Sequence, residues 1–208
     1  VTKYADRVQP YLAQRVVPAD DEKPWALNAA VWEDGVFLYV PAGVQVDIPL
    51  EVFSWSASGS DVGVFERFLV VAGPNSSVTL VVTTSSDDQN SPRVHGQVME
   101  VYAQEGAQVK ICSLQTLGER TTHFALRRAL LDKDADLQWI IGEFGASLSV
   151  SISDTQLEGS GSQSRNLTVF FAGGEQHLDV EPRMLHSGTK TVSDILVRGV
   201  SKEQGSSV

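Results

Sequence analysis

Asp132, Asp134 and Asp136 alternate along the chain, and Glu143 follows seven residues after the last of them. Oxygen ligands at positions one, three, five and twelve are what a hard cation such as calcium takes from a single loop. The sixth position of such a loop has to turn sharply, and here it is Leu137 rather than glycine. The flanks read as strands instead of helices, so a solvated turn is the expectation. Cys112 is the single cysteine. A thiolate is the soft ligand that iron or transferred sulfur calls for, but one cysteine cannot hold a cluster alone. The competing expectation is a packed, inert side chain. By alternation within Val109–Leu114, Cys112 shares a strand face with Lys110 and Leu114. His95, His123, His177 and His186 are scattered, with no pair at His-x-x-x-His spacing. His186, after Met184-Leu185 at a strand edge, joins Cys112 as a candidate accessory metal ligand. Surface or core packing is expected of the other three.

Motifs for catalysis are missing. The sequence has no Gly-x-Ser-x-Gly elbow and no glycine-rich loop ending in Lys-Ser or Lys-Thr. Gly159-Ser160-Gly161-Ser162 reads as a flexible turn. Carboxylates are numerous, but their separations are not legible, so no glycosidase pair is assigned. No residue is given a catalytic role.

The 208 residues suffice for one large domain or two small ones, with a core that needs no disulfide or metal staple. Hydrophobic residues at 42% and charged residues at 20% are ordinary globular values, which argues against wholesale disorder. A net charge of -10 repels phosphate backbones, so nucleic acid is not an expected partner. The first residues carry Lys3, Asp6 and Arg7 and resemble no signal peptide, and no apolar run is long enough to span a bilayer. The expected compartment is the cytoplasm, with no membrane partner. Asn75-Ser76-Ser77 and Asn166-Leu167-Thr168 match the glycosylation pattern and are read as coincidence in that setting.

These residues must be positioned by strands. Residues 1–27 differ from the rest: Tyr4, Val8, Tyr11 and Leu12 recur at helical spacing, Pro10 limits the helix, and Pro18–Pro24 reads as a polar connector. From Trp25 onward the texture is strand, turn, strand. Apolar runs at 65–72, 98–103 and 124–131 each close on a turn signal, and alternating strands follow at Val78, Val109 and Leu137. The anchors Val44, Val78, Val109 and Leu137 lie roughly 30 residues apart, a period of stacked architectures. Coils of a β-solenoid fit, because one coil cannot bury its own apolar face but a stack makes a continuous core. A β-sandwich is the structural alternative. The expected organisation is a helix and connector over 1–27 and a β-core over 28–208.

Four stretches, in order, carry a family resemblance: Pro24–Gly43 with Pro49-Leu50; Arg67–Gly73 with Ser77-Val78; Val98–Tyr102 with Gly106–Val109 and Leu114-Gln115; and Leu157-Glu158-Gly159 through His186–Ser193 to Gly199. They resemble the core of the SufB/SufD family of iron–sulfur cluster assembly scaffold proteins. The resemblance implies an all-β, right-handed parallel β-helix-like solenoid with a short N-terminal helical segment. It implies a SufC-type ATPase and a SufB-type paralogue, or a second copy, as partners, and an iron–sulfur cluster at the level of the complex, none being assigned to this chain by itself. SufB-type members are expected to carry a cysteine in the coil before Val98, and Thr83–His95 has none, which favours a SufD-like subunit. The family's β-core is expected to continue past Val208, and the helical part that docks the ATPase and bears a functional histidine motif lies outside these residues. The function expected is a non-enzymatic scaffold. The alternatives are a carbohydrate-active β-helix enzyme, such as a lyase or esterase, and a small-ligand binding module of cupin type.

Overall fold

The computed structural model describes residues 4–56, 63–87 and 93–208. Two short helices open the chain, α1 (Ala5–Val8) and α2 (Lys23–Val31). Among the described residues thirteen strands follow: β1 (Asp34–Val40), β2 (Leu50–Ser56), β3 (Gly63–Ala72), β4 (Ser77–Ser86), β5 (Arg93–Ala103), β6 (Gln108–Thr116), β7 (Thr121–Leu131), β8 (Asp136–Glu143), β9 (Leu148–Leu157), β10 (Gln163–Ala172), β11 (His177–His186), β12 (Val192–Ser201) and β13 (Ser206–Ser207). The odd strands form one sheet in the order β1-β3-β5-β7-β9-β11-β13, and the even strands form the other, β12-β10-β8-β6-β4-β2. Every strand pairing is parallel. The chain therefore switches sheets at each turn and climbs one rung per coil: it is a β-solenoid.

The turns from odd to even strands explain why the coils stack. Gly43, Asn75, Gly106, Asp134, Gly161 and Lys190 all have φ between 54° and 76°, one per coil. The amide of Asn75 donates to Glu105 O, that of Gly106 to Lys133 O, that of Asp134 to Ser160 O and that of Gly161 to Thr189 O, at 2.9–3.0 Å. Each of these four left-handed residues thus hands its amide to the coil above. Glycine and Asn/Asp occupy most of these sites because they tolerate that backbone best. The Asp132–Asp136 stretch is one such turn. Asp136 begins β8 and Glu143 ends it, buried in the core, so the four carboxylates do not converge. Asp132–Asp134 make the turn expected in place of a calcium loop.

Three of the four sequence anchors stack in register, Val78 on Val109 on Leu137. The first is displaced by two residues. Gln45 pairs with Ser77, so Val46 occupies the core position and Val44 is 40% exposed.

Between the sheets lies an aliphatic core, with Val70, Met99, Val101, Ile111, Leu131 and Trp139 almost wholly buried. The Trp139 indole N–H donates to Thr155 Oγ1 at 2.9 Å, so burying the ring strands no donor. A second cluster covers the outside of the odd sheet, where Val8, Val16, Val17 and Trp25 pack on Leu69, Val71, Val98, Leu126 and Leu130. This wrap corrects the reading of residues 18–31. Lys23–Val31 is a helix rather than a connector running into a strand, and it crosses the expected boundary between 27 and 28. Pro24 in the first turn and Ala26, Leu27, Ala29 and Ala30 favour helix. Trp25 and Asn28, three apart and on one face, are the buried side chains. The wrap is pinned by a buried ion pair, Arg67 Nε to Glu100 Oε1 at 2.8 Å. Glu100 also accepts the amides of Ala13 and Val17, while Arg67 donates to Val17 O. The outer face of the even sheet has no such cover from the wrap; there Phe53 and Trp55 stack with 65% and 52% exposure. No described helix is long and apolar enough to cross a membrane.

Candidate functional site

The interior is apolar only toward the odd-to-even turns. Toward the opposite end of the strands the inward side chains become polar, and they hydrogen-bond across coils. Glu66 on β3, His95 and Gln97 on β5, and His123 and Arg127 on β7 line the odd sheet there. Ser54, Thr84, Ser113 and Glu143 face them from β2, β4, β6 and β8. Alternation explains the placement: with Val101 and Met99 pointing in, Gln97 and His95 must point in as well.

Two networks make up this tract. In the first, Ser54 Oγ donates to Glu66 Oε1 at 2.6 Å, and Gln97 Nε2 donates to Glu66 Oε2 at 3.1 Å and to Thr84 Oγ1 at 3.0 Å. His95 Nε2 stands 3.4 Å from Glu66 Oε2. The Nδ1 atoms of His95 and His123 are 3.1 Å apart, so one ring donates and the other accepts. Burial pushes the Glu66 carboxyl up, but the bonds from His95, Ser54 and Gln97 outweigh it and hold the group below its ordinary value. Burial, followed by the charges of His95 and Arg127, holds His123 well below the usual imidazole range, so its ring is neutral. In the second network Arg127 donates to Ser113 Oγ, Ser151 Oγ and Glu143 Oε1 at 3.2, 2.8 and 3.0 Å. Ser151 also donates to Glu143 Oε1 at 2.8 Å. A cavity of about 430 Å³ at the first coil, lined in part by Ser54, Ser56 and Glu66, opens toward the first network.

The two residues singled out from sequence lie elsewhere. Cys112 is half-buried on the outer face of β6, between Val81 and Ile140 of the flanking strands. His186 is exposed at the end of β11, with Nδ1 2.7 Å from Thr191 Oγ1 and Nε2 2.9 Å from Ser193 Oγ. The structure does not bring Cys112 and His186 together, and among the described residues no three His, Cys, Asp or Glu side chains converge as a metal site. The His95–His123 pair was missed because the histidines were compared at helical spacings. Their separation of 28 residues equals the step from Val109 to Leu137, so the coil period, applied to polar residues, would have stacked them.

The chain matches two adjoining family descriptions: the SufBD protein N-terminal region over residues 1–52, and the SufBD core domain of SUF system FeS cluster assembly over residues 54–208. It is 31% identical over 190 residues to an iron-sulfur cluster assembly SufBD family protein of Staphylococcus saprophyticus, covering 91% of this chain and 41% of that protein. It is 30% identical over 191 residues to the iron-sulfur cluster assembly protein SufB of Bacillus subtilis, covering 92% and 41%. The chain thus spans about two-fifths of the length of these relatives. The two matches together span nearly the whole chain, with the wrap and the first solenoid strand inside the N-terminal match and the remaining coils inside the core match, and they show that this chain belongs to the SufBD family of iron–sulfur cluster assembly proteins.

Proposed function

We propose that the chain is a non-catalytic scaffold subunit of a SUF-type assembly complex, in which the iron–sulfur cluster is cargo. It pairs with a SufB-type paralogue, or a second copy, and works with a SufC-type ATPase in the cytoplasm. The observation that carries this reading is the two-sheet parallel solenoid across the matched core. Such a stack is a rigid frame, and its first strands, β1 and β2, each have one edge without a partner strand among the described residues. An unpaired edge offers main-chain donors and acceptors to a partner's strand. The reading as SufD-like rests on the lack of a cysteine in Thr83–His95, the coil before Val98; a named SufB among the relatives does not separate the two types. Cys112 and His186 are assigned accessory ligand roles at most.

The test is co-purification of the full-length protein with its cognate SufB-type and SufC-type proteins, beside the 208-residue chain. Retention of both partners by the full-length protein is the expected result; retention of neither would overturn the reading. In the complex, Cys112→Ser and His186→Ala are expected to lower cluster yield without dissociating the subunits. An unchanged yield removes both residues from the mechanism.

A further inference from the structure

The first coil is built like the others but is left half uncovered. Val36, Leu38, Val46 and Val52 stand in the same core columns as Phe68, Val70, Val78 and Val82. The four on the second coil are at most 3% exposed, whereas the four on the first are only partly buried. Among the described residues no strand lies beyond β1 or β2 to cover them. Of these two free edges, β1 has its outer face occupied: the wrap packs on Phe37 and Tyr39, and the Arg7 guanidinium lies over the Tyr39 ring at 5.0 Å. The outer face of β2 has no such cover. With Val52 and Ser54 pointing in, alternation turns Glu51, Phe53 and Trp55 out. All three are exposed, and the two rings stack on each other at 6.0 Å. The strand behind has Val81, Thr83 and Ser85 at these positions, so it does not repeat the acid and the aromatic pair.

Charge decides what this edge accepts. From Pro24 to Glu66 the sequence contains no Lys, Arg or His. The first coil carries Glu33, Asp34, Asp47 and Glu51, all exposed. Arg93 reaches its end from β5, but that guanidinium is engaged with Asp87 and with Ser56 O. A second copy meeting this one end to end would bring carboxylates against carboxylates, which disfavours that occupant.

We propose that the free edge of β2 accepts an extended strand of another protein with alternating character: apolar residues inward beside Val52, and Arg or Lys outward beside Glu51 and over the rings of Phe53 and Trp55. Main-chain bonds to the open edge supply affinity, and the alternate side chains supply selection. A cation over an exposed ring is held by the ring's quadrupole, the arrangement that Arg7 and Tyr39 already make on the other sheet. The inference rests on the free-edge docking of the scaffold reading and deepens it by giving the chemistry of the docked strand. Co-purification of the subunits can succeed with this edge empty, so the two fail in separate assays.

The test uses the full-length protein and a capped peptide as long as β2, seven residues, that alternates valine and arginine. A peptide alternating valine and glutamate is its control. Calorimetry is expected to show saturable binding of the arginine peptide alone, and amide exchange to slow at Leu50–Ser56 and not in β8. Phe53→Ser/Trp55→Ser weakens binding about tenfold, and both sites are exposed, so the fold is kept. Glu51→Lys weakens the arginine peptide and admits the glutamate one. An arginine peptide methylated at every main-chain nitrogen cannot pair with the edge and fails to bind. Binding that survives the methylation or the substitutions would reduce the contact to diffuse attraction toward an acidic surface and overturn the proposal. Slow exchange at Leu50–Ser56 before any peptide is added, with no binding, would assign the edge to a segment of the same chain. Protection that rises with protein concentration would assign it to a second copy, and either result overturns the proposal as well.

Discussion

Removing the Glu100 carboxylate should release the N-terminal wrap. Both side chains of the Arg67–Glu100 pair are 0% exposed, and the carboxylate carries three bonds: one from Arg67 and one each from the amides of Ala13 and Val17. Glu100→Ala leaves a guanidinium buried without its counter-charge, which costs about 3–5 kcal/mol. Two amides also lose their acceptor, at about 1–3 kcal/mol each if they stay buried. These terms are not additive, because the wrap can escape the larger penalty by detaching and hydrating. Its own burial of Val8, Val16, Val17 and Trp25 opposes detachment. The ion-pair term sets the scale, roughly two to three and a half orders of magnitude in the closed-to-open ratio. Amide hydrogen exchange reads this directly: protection at Ala13 and Val17 falls by about a hundredfold or more, while amides of β7 and β8 in the core change little. Trp25 fluorescence shifts to the red as the helix leaves the sheet. Protection at both amides within about threefold of wild type would refute the reasoning, since the pair would then contribute no more than an exposed one. Arg67→Met/Glu100→Leu tests the same logic from the other side, because replacing both partners removes the unpaired charge and restores most of the loss.

Tyr102 is pushed up to about 12 by burial and by the bond from its hydroxyl to Asp132 Oδ2 at 2.6 Å. An unfolded tyrosine ionises at about 10, so above that value the unfolded chain binds fewer protons than the folded one and stability falls as pH rises. Urea midpoints at about pH 9 and about pH 11 are expected to diverge in the wild type and to do so less in Tyr102→Phe; an equal divergence would remove Tyr102 as the cause. Trp139→Ala, at a site with 0% exposure, is expected to lose about 3–5 kcal/mol by urea denaturation with the slope unchanged, and a loss under about 1 kcal/mol would mean that the coils collapse into the void. Gly43→Ala at φ +73° has open space around the new methyl and should cost about 1–2 kcal/mol, whereas Gly161→Ala at φ +76° also collides with the Asp134 carboxylate. Thermal melting should rank Gly161→Ala below Gly43→Ala, and the reverse order would count against the turn ladder.

Much of the architecture is local in origin and was legible as such. Val78, Val109 and Leu137 alternate with polar neighbours because one face of each even strand looks inward and the other outward, and period two survives in the residue order. Gly106, Gly161 and Asn75 mark turns because few residues accept their backbone. Those signals, at a spacing near 30, made a stacked coil the natural reading. The odd strands were less readable. β3, β5 and β7 are buried on both faces, inward by the core and outward by the wrap, so apolar and buried polar side chains fall on both faces without alternation and do not say which face is which. The helix α2 was lost for a related reason, since its four-residue sample of alanine and leucine sits next to Trp25 and a strand-rich continuation.

The sequence by itself determined the class of fold, the coil period and the family, because strand alternation and turn conformation are properties of neighbouring residues. The tertiary structure alone decided that residues 4–31 close the outer face of one sheet and that Arg67 meets Glu100. It alone decided that Glu66, His95 and His123 share one interior while Cys112 faces away from it. Those contacts join residues about one coil or more apart, and a shift of one residue in strand register would send every side chain to the opposite face.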